Sequence, residues 1–158
     1  MEAKKVQDSI VIMAQLMNPQ DANIAGNVHG GVLMKLIDNA GGASAMRHAR
    51  DNVVTASIER LDFHHPVFIG DFVTLSACVN FVGKTSLEVG VRIEAENLQT
   101  GVTRHTTSAY LTFVALDTNG RPLPLPPLIL ETDEEIRRNL EAKNRREARL
   151  AERIKEKQ

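Results

Sequence analysis

One apolar helix followed by an unbroken run of strand-like segments is the feature that most narrows the folds open to this chain. A polar, Gly-punctuated turn, Asp21-Ala22-Asn23-Ile24-Ala25-Gly26-Asn27-Val28-His29-Gly30-Gly31, leads into Val32, Leu33, Leu36, Ile37 and Ala40 at helical spacing. The second half of that helix, Gly41-Gly42-Ala43-Ser44-Ala45, is nearly all small. Upstream, Ser9 to Leu16 is β-rich and stops at Asn18-Pro19. Downstream come Val53 to Phe63, closed by His64-His65-Pro66, then Phe72 to Val82, Ser86 to Glu96 and Arg104 to Leu116. In the Ser86 segment, Leu87, Val89, Val91, Ile93 and Ala95 alternate with charged residues that include Glu88, Arg92, Glu94 and Glu96, which predicts one face in the core and one in water. The order β-α-β-β-β-β lacks alternating βαβ units. It predicts an α+β domain in which an antiparallel β-sheet wraps around one long central helix.

Two features of the helix suggest chemistry. Its first free backbone N–H groups fall near His29, Gly30 and Gly31, where no side chain blocks the approach of an oxygen and the helix dipole adds positive potential, an arrangement suited to a developing oxyanion. His29 could cap the helix or position a carbonyl. Asp38 lies inside the apolar pattern, where a carboxylate is costly unless something pairs with it or uses it. Gly41, Gly42 and Ala45 follow it at i+3, i+4 and i+7 and form a trough, which admits either a packed sheet or a ligand groove.

With 158 residues, 42% of them hydrophobic, the chain is sized for one domain, expected at residues 8–120. Leu123-Pro124-Leu125-Pro126-Pro127 predicts an extended connector over 121–131. Thr132-Asp133-Glu134-Glu135 opens a charged C-terminal helix over 132–158, on the surface, with a thin apolar seam at Ile136, Leu140, Leu150 and Ile154. No segment resembles a membrane span or a secretory leader, so a cytoplasmic protein without a membrane partner is expected. The net charge of −1 provides no field for nucleic acid, and the arginines of the last helix read as a solvated face. The single cysteine, Cys78, reads as a core thiol. His48 and His105 read as ordinary surface or strand residues. Gly83-Lys84-Thr85 lacks the upstream glycine and following helix of a nucleotide-hydrolysing loop, no G-x-S-x-G elbow supplies a serine nucleophile, and His64-His65 lacks further ligands, so no metal is expected.

Asp21-Ala22-Asn23, Gly26-Asn27-Val28-His29-Gly30-Gly31 and Leu36-Ile37-Asp38 together resemble the hotdog-fold acyl-CoA thioesterases, of the cytosolic long-chain acyl-CoA hydrolase type. The similarity continues through Val54-Thr55-Ala56-Ser57, Ile69-Gly70-Asp71, Gly83-Lys84-Thr85-Ser86 and Glu94-Ala95-Glu96-Asn97, over residues 8 to 140. It implies the hotdog fold, a double-hotdog dimer, a homohexamer, and an acyl-CoA substrate with no cofactor beyond the CoA of substrate and product. It also implies two catalytic positions, an asparagine before the Gly-rich turn, Asn23, and an acid in the helix, Asp38. Asn27 shares the turn and is the alternative donor.

On a helical rise of about 1.5 Å per residue, Asp38 and His29 lie about 13 Å apart along one helix, too far to serve one carbonyl carbon. Two antiparallel helices from two protomers would bring each acid beside the other chain's turn, which predicts cross-protomer active sites. Asp38 as general base on water and Asp38 as nucleophile remain equally open. For the 3′-phospho-ADP end of CoA, Gly83, Lys84, Thr85 and Ser86 offer a cation, hydroxyls and backbone at a hairpin turn. The competing classes are an acyl-CoA-binding regulatory module, and a hydroxyacyl thioester dehydratase, whose His-rich loop this chain lacks.

Overall fold

The apolar stripe of the central helix finds its partner in a five-stranded antiparallel sheet. The computed structural model describes all residues, Met1–Gln158. Its elements are β1 (Lys4–Lys5), a 3-10 turn (Val6–Ser9), β2 (Val11–Leu16), a second 3-10 turn (Pro19–Asp21), α1 (Gly30–Ala49), β3 (Val53–Phe63), β4 (Asp71–Val82), β5 (Ser86–Asn97), β6 (Thr103–Ala115), β7 (Leu128–Ile129) and α2 (Asp133–Glu156). The sheet order is β2-β4-β5-β6-β3, so α1 leaves one edge strand and returns the chain to the other. This is the hotdog fold, α+β, with the sheet curved around α1.

Leu33, Leu36, Ile37, Ala40 and Ala45 of α1 are buried against inward residues of β4, β5 and β6, among them Leu75, Val89 and Phe113. A Cβ on Gly41 would stand 3.4 Å from Cζ of Phe113, so the small-residue trough is where the ring of β6 closes on the helix. The sheet, not a ligand, fills that side of it. The helix stops at Arg50, which adopts the left-handed conformation (φ 52°) and donates its N–H to Met46 O.

β3 forms a free edge. Its pairing with β6 shifts register between Thr55 and Ser57 and again between Glu59 and Asp62, with Arg60 at φ 53°, and Val54 and Phe63 are left exposed.

The outer face of the sheet differs from the sequence expectation. Glu88 is buried, not wet, because α2 lies across that face and Arg145 grips the carboxylate at 2.8 and 2.9 Å. Arg149 reaches Glu59 at 2.7 Å and Asn139 donates to Asn80 O at 3.0 Å. The arginine face expected in solvent is thus the docking face, while Ile136, Leu140, Leu150 and Ile154 point away from the domain.

The connector is also more ordered than its prolines suggest. Leu128 and Ile129 pair in parallel with Lys4 and Lys5, and Pro126 O accepts a 2.7 Å hydrogen bond from His48 Nε2. His48, expected to be unremarkable, is fully buried at the end of α1.

Candidate active site

The turn before α1 is held from within and from one neighbouring loop. Asn23 N–H donates to Asn27 O at 2.7 Å, Asn27 N–H donates to the Asn23 Oδ1 at 3.2 Å, and Gly26 at φ +86° makes the reversal that only a residue without Cβ takes easily. The carbonyl half of the Asn23 side chain is therefore engaged, whereas its NH2 half has no partner in the chain and can donate elsewhere. His29 N–H donates to Asp21 O, and Val28 N–H donates to Val67 O. The 67–71 loop is itself fixed by the buried Asp71, whose Oδ2 accepts from Phe68 N–H at 2.9 Å and from Arg104 at 3.0 Å.

α1 then opens without a side-chain cap, since His29 is exposed and its imidazole makes no cap hydrogen bond. The first N–H groups with in-chain acceptors are those of Val32 and Leu33, both to His29 O, which leaves Gly30 and Gly31 N–H free. No atom lies within 4 Å of a Cβ built on Gly31, so an oxygen can approach from that side.

Asp38 departs from the sequence expectation. It is half-buried, not enclosed, and it is paired: Thr55 Oγ1 of β3 donates to Asp38 Oδ1 at 2.7 Å. It belongs to the outward face of α1, with Met34, Lys35, Asn39 and Met46 exposed around it. Thr55 is the neighbour of Asp38 that sequence reasoning passed over. It stood within the quoted Val54-Thr55-Ala56-Ser57 run, but only the packing of β3 alongside α1 reveals the partner.

Gly83, Lys84, Thr85 and Ser86 form the tight β4–β5 turn, closed by Gly83 N–H to Ser86 O at 2.7 Å, with Lys84 exposed. Val82 pairs with Leu87 beside that turn, whereas Asp71 pairs with Asn97 at the other end, next to the loop that holds Asn27 and Val28. Within one chain, the turn and the α1 N-terminus therefore sit at opposite ends of the sheet. None of the four principal clefts is lined by Asn23, His29 or Asp38. One of them, about 340 Å³, lies between α2 and the outer sheet and is lined by Cys78, Tyr110 and Arg138 among others. Burial pushes the Cys78 thiol up, against the lowering effect of Arg138, so it does not supply a thiolate. The His64 and His105 rings lie 5.0 Å apart, tilted by 52°, and no three His, Cys, Asp or Glu side chains gather as a metal site.

The family model of the thioesterase superfamily matches residues 25–102. The chain is 41% identical to an uncharacterized acyl-CoA thioester hydrolase of Bacillus subtilis, YkhA, over 85% of this chain and 78% of that protein. It is 36% identical to the cytosolic acyl coenzyme A thioester hydrolase of Rattus norvegicus over 91% of its own length, but spans only 38% of that longer protein. Among solved structures, an apo-hexameric acyl-CoA thioesterase superposes with a TM-score of 0.92 at 38% identity, covering 96% of this chain and 97% of that one. The acyl-CoA hydrolase of Staphylococcus aureus, in complex with butyryl coenzyme A, coenzyme A and coenzyme A disulfide, superposes at 0.90 with 36% identity, covering 98% and 94%. Structures of that hydrolase include alanine variants of an asparagine, an aspartate and a threonine whose order and intervals match Asn23, Asp38 and Thr55. No helix here is long and apolar enough to cross a membrane. By sequence and by fold this chain belongs to the thioesterase superfamily, among the hotdog-fold acyl-CoA thioester hydrolases.

Proposed function

We propose that the protein hydrolyses fatty acyl-CoA to a fatty acid and free CoA at sites shared between two protomers. The observation that carries this reading is the division of parts along one continuous helix. The free Gly30 and Gly31 N–H groups stand at its start, and Asp38 lies on its outward face more than two turns away. Neither end alone has both a nucleophile and an oxyanion site. Antiparallel pairing of two α1 helices joins them twice, and the exposed α1 face around Met34 and Met46 and the free β3 edge at Val54 and Phe63 give such a pairing its surface.

In the assembled site the thioester carbonyl oxygen points at the Gly30 and Gly31 N–H groups of one chain, at the positive end of its helix, and Asn23 Nδ2 donates to the carbonyl or to the water beside it. Asp38 of the other chain takes a proton from water as it attacks, or attacks the carbonyl carbon itself. The Thr55 hydrogen bond occupies Oδ1 and leaves Oδ2 to act. Collapse of the tetrahedral intermediate breaks the C–S bond and releases CoA thiolate, which takes up the proton removed from water; on the nucleophilic route it leaves an anhydride on Asp38 that water then hydrolyses to fatty acid. The antiparallel arrangement also places the partner's β4–β5 turn at the end of the assembly where this chain's Gly-rich turn lies, which supports Lys84 and its neighbours as donors to the CoA phosphates. The reaction needs no cofactor or metal. The hexameric relatives support a homohexamer of three such dimers, and the cytosolic relative supports a cytoplasmic setting.

Subunit exchange tests this reading. Asn23→Ala and Asp38→Ala chains are each expected to be nearly inactive in thiol release from an acyl-CoA. Mixed in equal amounts they form heterodimers with one doubly damaged and one intact site, so activity returns to about a quarter of wild type. Verified heterodimers without recovery would rule out the shared site.

A further inference from the structure

α2 is amphipathic in the inverse sense. The face it lays on its own domain is polar: Arg138, Asn139, Arg145 and Arg149, with only Ala142 as a buried apolar residue. The face it turns to solvent carries Ile136, Leu140, Leu150 and Ile154, exposed by 53%, 60%, 39% and 62%. Between them on the same face lie exposed Lys143 and Glu147. The six residues advance in alternating steps of four and three, the spacing of a coiled-coil seam, and all six are exposed in the protomer.

The order along that seam, Ile-Leu-Lys-Glu-Leu-Ile, reads the same in both directions in size and is complementary in charge. Laid antiparallel on a second copy, Ile136 meets Ile154, Leu140 meets Leu150, and Lys143 meets Glu147, twice over and with no like-charged pair in the seam. In a parallel alignment Lys143 would face Lys143 and Glu147 would face Glu147. We propose that the outward seam of α2 docks antiparallel on the α2 seam of a second copy of this chain, about a twofold axis near Arg145. This contact lies on the opposite side of the sheet from the α1 and β3 surface. Two different twofold contacts on one protomer alternate around a closed ring, which is how dimers become a larger dihedral assembly. The seam stands independently of the catalytic reading.

Light scattering at tens of micromolar protein provides the first test. Leu140→Glu places a carboxylate opposite Leu150 without disturbing the domain, because Leu140 is exposed in the protomer. The particle mass should fall, to two copies if the α1 faces pair and to one if they do not, so failure of that earlier reading is distinguished from failure of this one. Lys143→Glu should weaken the contact about tenfold, and Lys143→Glu combined with Glu147→Lys should restore it.

Register is tested in a Cys78→Ser background. Leu140→Cys with Leu150→Cys should oxidise to disulfide-linked chains, whereas Leu140→Cys alone should not, its two copies lying about 15 Å apart along the pair. Wild-type mass in Leu140→Glu, equal cross-linking by the single variant, or no recovery in the charge swap would each overturn the proposal. So would a Leu140→Glu protein of unchanged mass whose only loss is binding to phosphatidylserine vesicles, which would make the seam a membrane face.

Discussion

The two faces of the sheet hold their helices by opposite means. On the inner face, α1 is held by apolar burial, with Leu33, Leu36, Ile37 and Ala40 buried and Phe113 closing on Gly41. On the outer face, α2 is held by Arg145 on Glu88, Arg149 on Glu59 and Asn139 on Asn80 O, and its apolar residues point outward. Apolar contact is tolerant of register and strong per residue. A buried ion pair is sensitive to register and contributes little net energy, since desolvation offsets most of its attraction. The inner helix therefore makes the fold, while the outer one is positioned by it and keeps an apolar surface for something else.

That contrast can be broken most sharply at Phe113. Phe113→Ala opens a cavity under Gly41 and should cost about 3–5 kcal/mol in urea unfolding. Loss of less than about 1 kcal/mol would mean the inner face is not the foundation described. On the outer face the expected pattern is different. Arg145→Ala leaves the buried Glu88 carboxylate with only Asn80 Nδ2 as a partner and should cost about 3 kcal/mol, yet Glu88→Leu combined with Arg145→Met should recover most of that loss, the remainder reflecting the acceptor taken from Asn80. If the double variant is as damaged as the single, α2 docks by more than a positional ion pair. Smaller still is the effect at the boundary between helix and sheet edge. Thr55→Val keeps the shape but releases Asp38 Oδ1, and should lower kcat about tenfold with KM for acyl-CoA nearly unchanged. A change in KM alone would make Thr55 a substrate contact instead.

Much of the inner architecture was legible because burial leaves a period. The strands from Val53, Phe72, Ser86 and Arg104 emerge within about a residue of the observed starts, and the buried stripe of α1 is the one that periodicity selects. The outer architecture was not. The alternation of β5 marks Glu88 as outward, which is right, but says nothing of a helix some 57 residues later that covers it. Nor does the moment of α2 say whether its apolar side faces its own domain or another. The candidate site was legible in its residues and not in its contacts. Asn23, Asp38 and the Gly-rich turn stand out locally. The Thr55 partner joins two elements 17 residues apart, and His48 is buried only because the proline connector returns across the end of α1.

His48 provides the last and smallest test, because it is a polar group held by the inner, apolar mode of packing. Its Nε2–H donates to Pro126 O at 2.7 Å, which leaves Nδ1 as the bare nitrogen, buried without a partner. Desolvation by burial, the largest influence, lowers its pKa below 6.5, the Pro126 hydrogen bond opposes that, Lys4 reinforces it and Asp8 opposes it. Folding therefore keeps the imidazole neutral at a pH where the unfolded chain has begun to bind a proton. Between the lowered folded value and 6.5 the unfolded state holds more protons, so stability falls as pH drops through that window and levels off below the folded value. His105, lowered first by desolvation and then by Arg92, contributes with the same sign. Urea midpoints at pH 7.5, 6.5 and 5.5 should decline in wild type. His48→Gln, which can still offer an N–H to Pro126 O but does not titrate, should show a shallower decline, and adding His105→Gln should flatten it further. An unchanged slope in His48→Gln would mean that His48 protonates in the folded protein as readily as in the unfolded chain, and that the end of α1 is open to water.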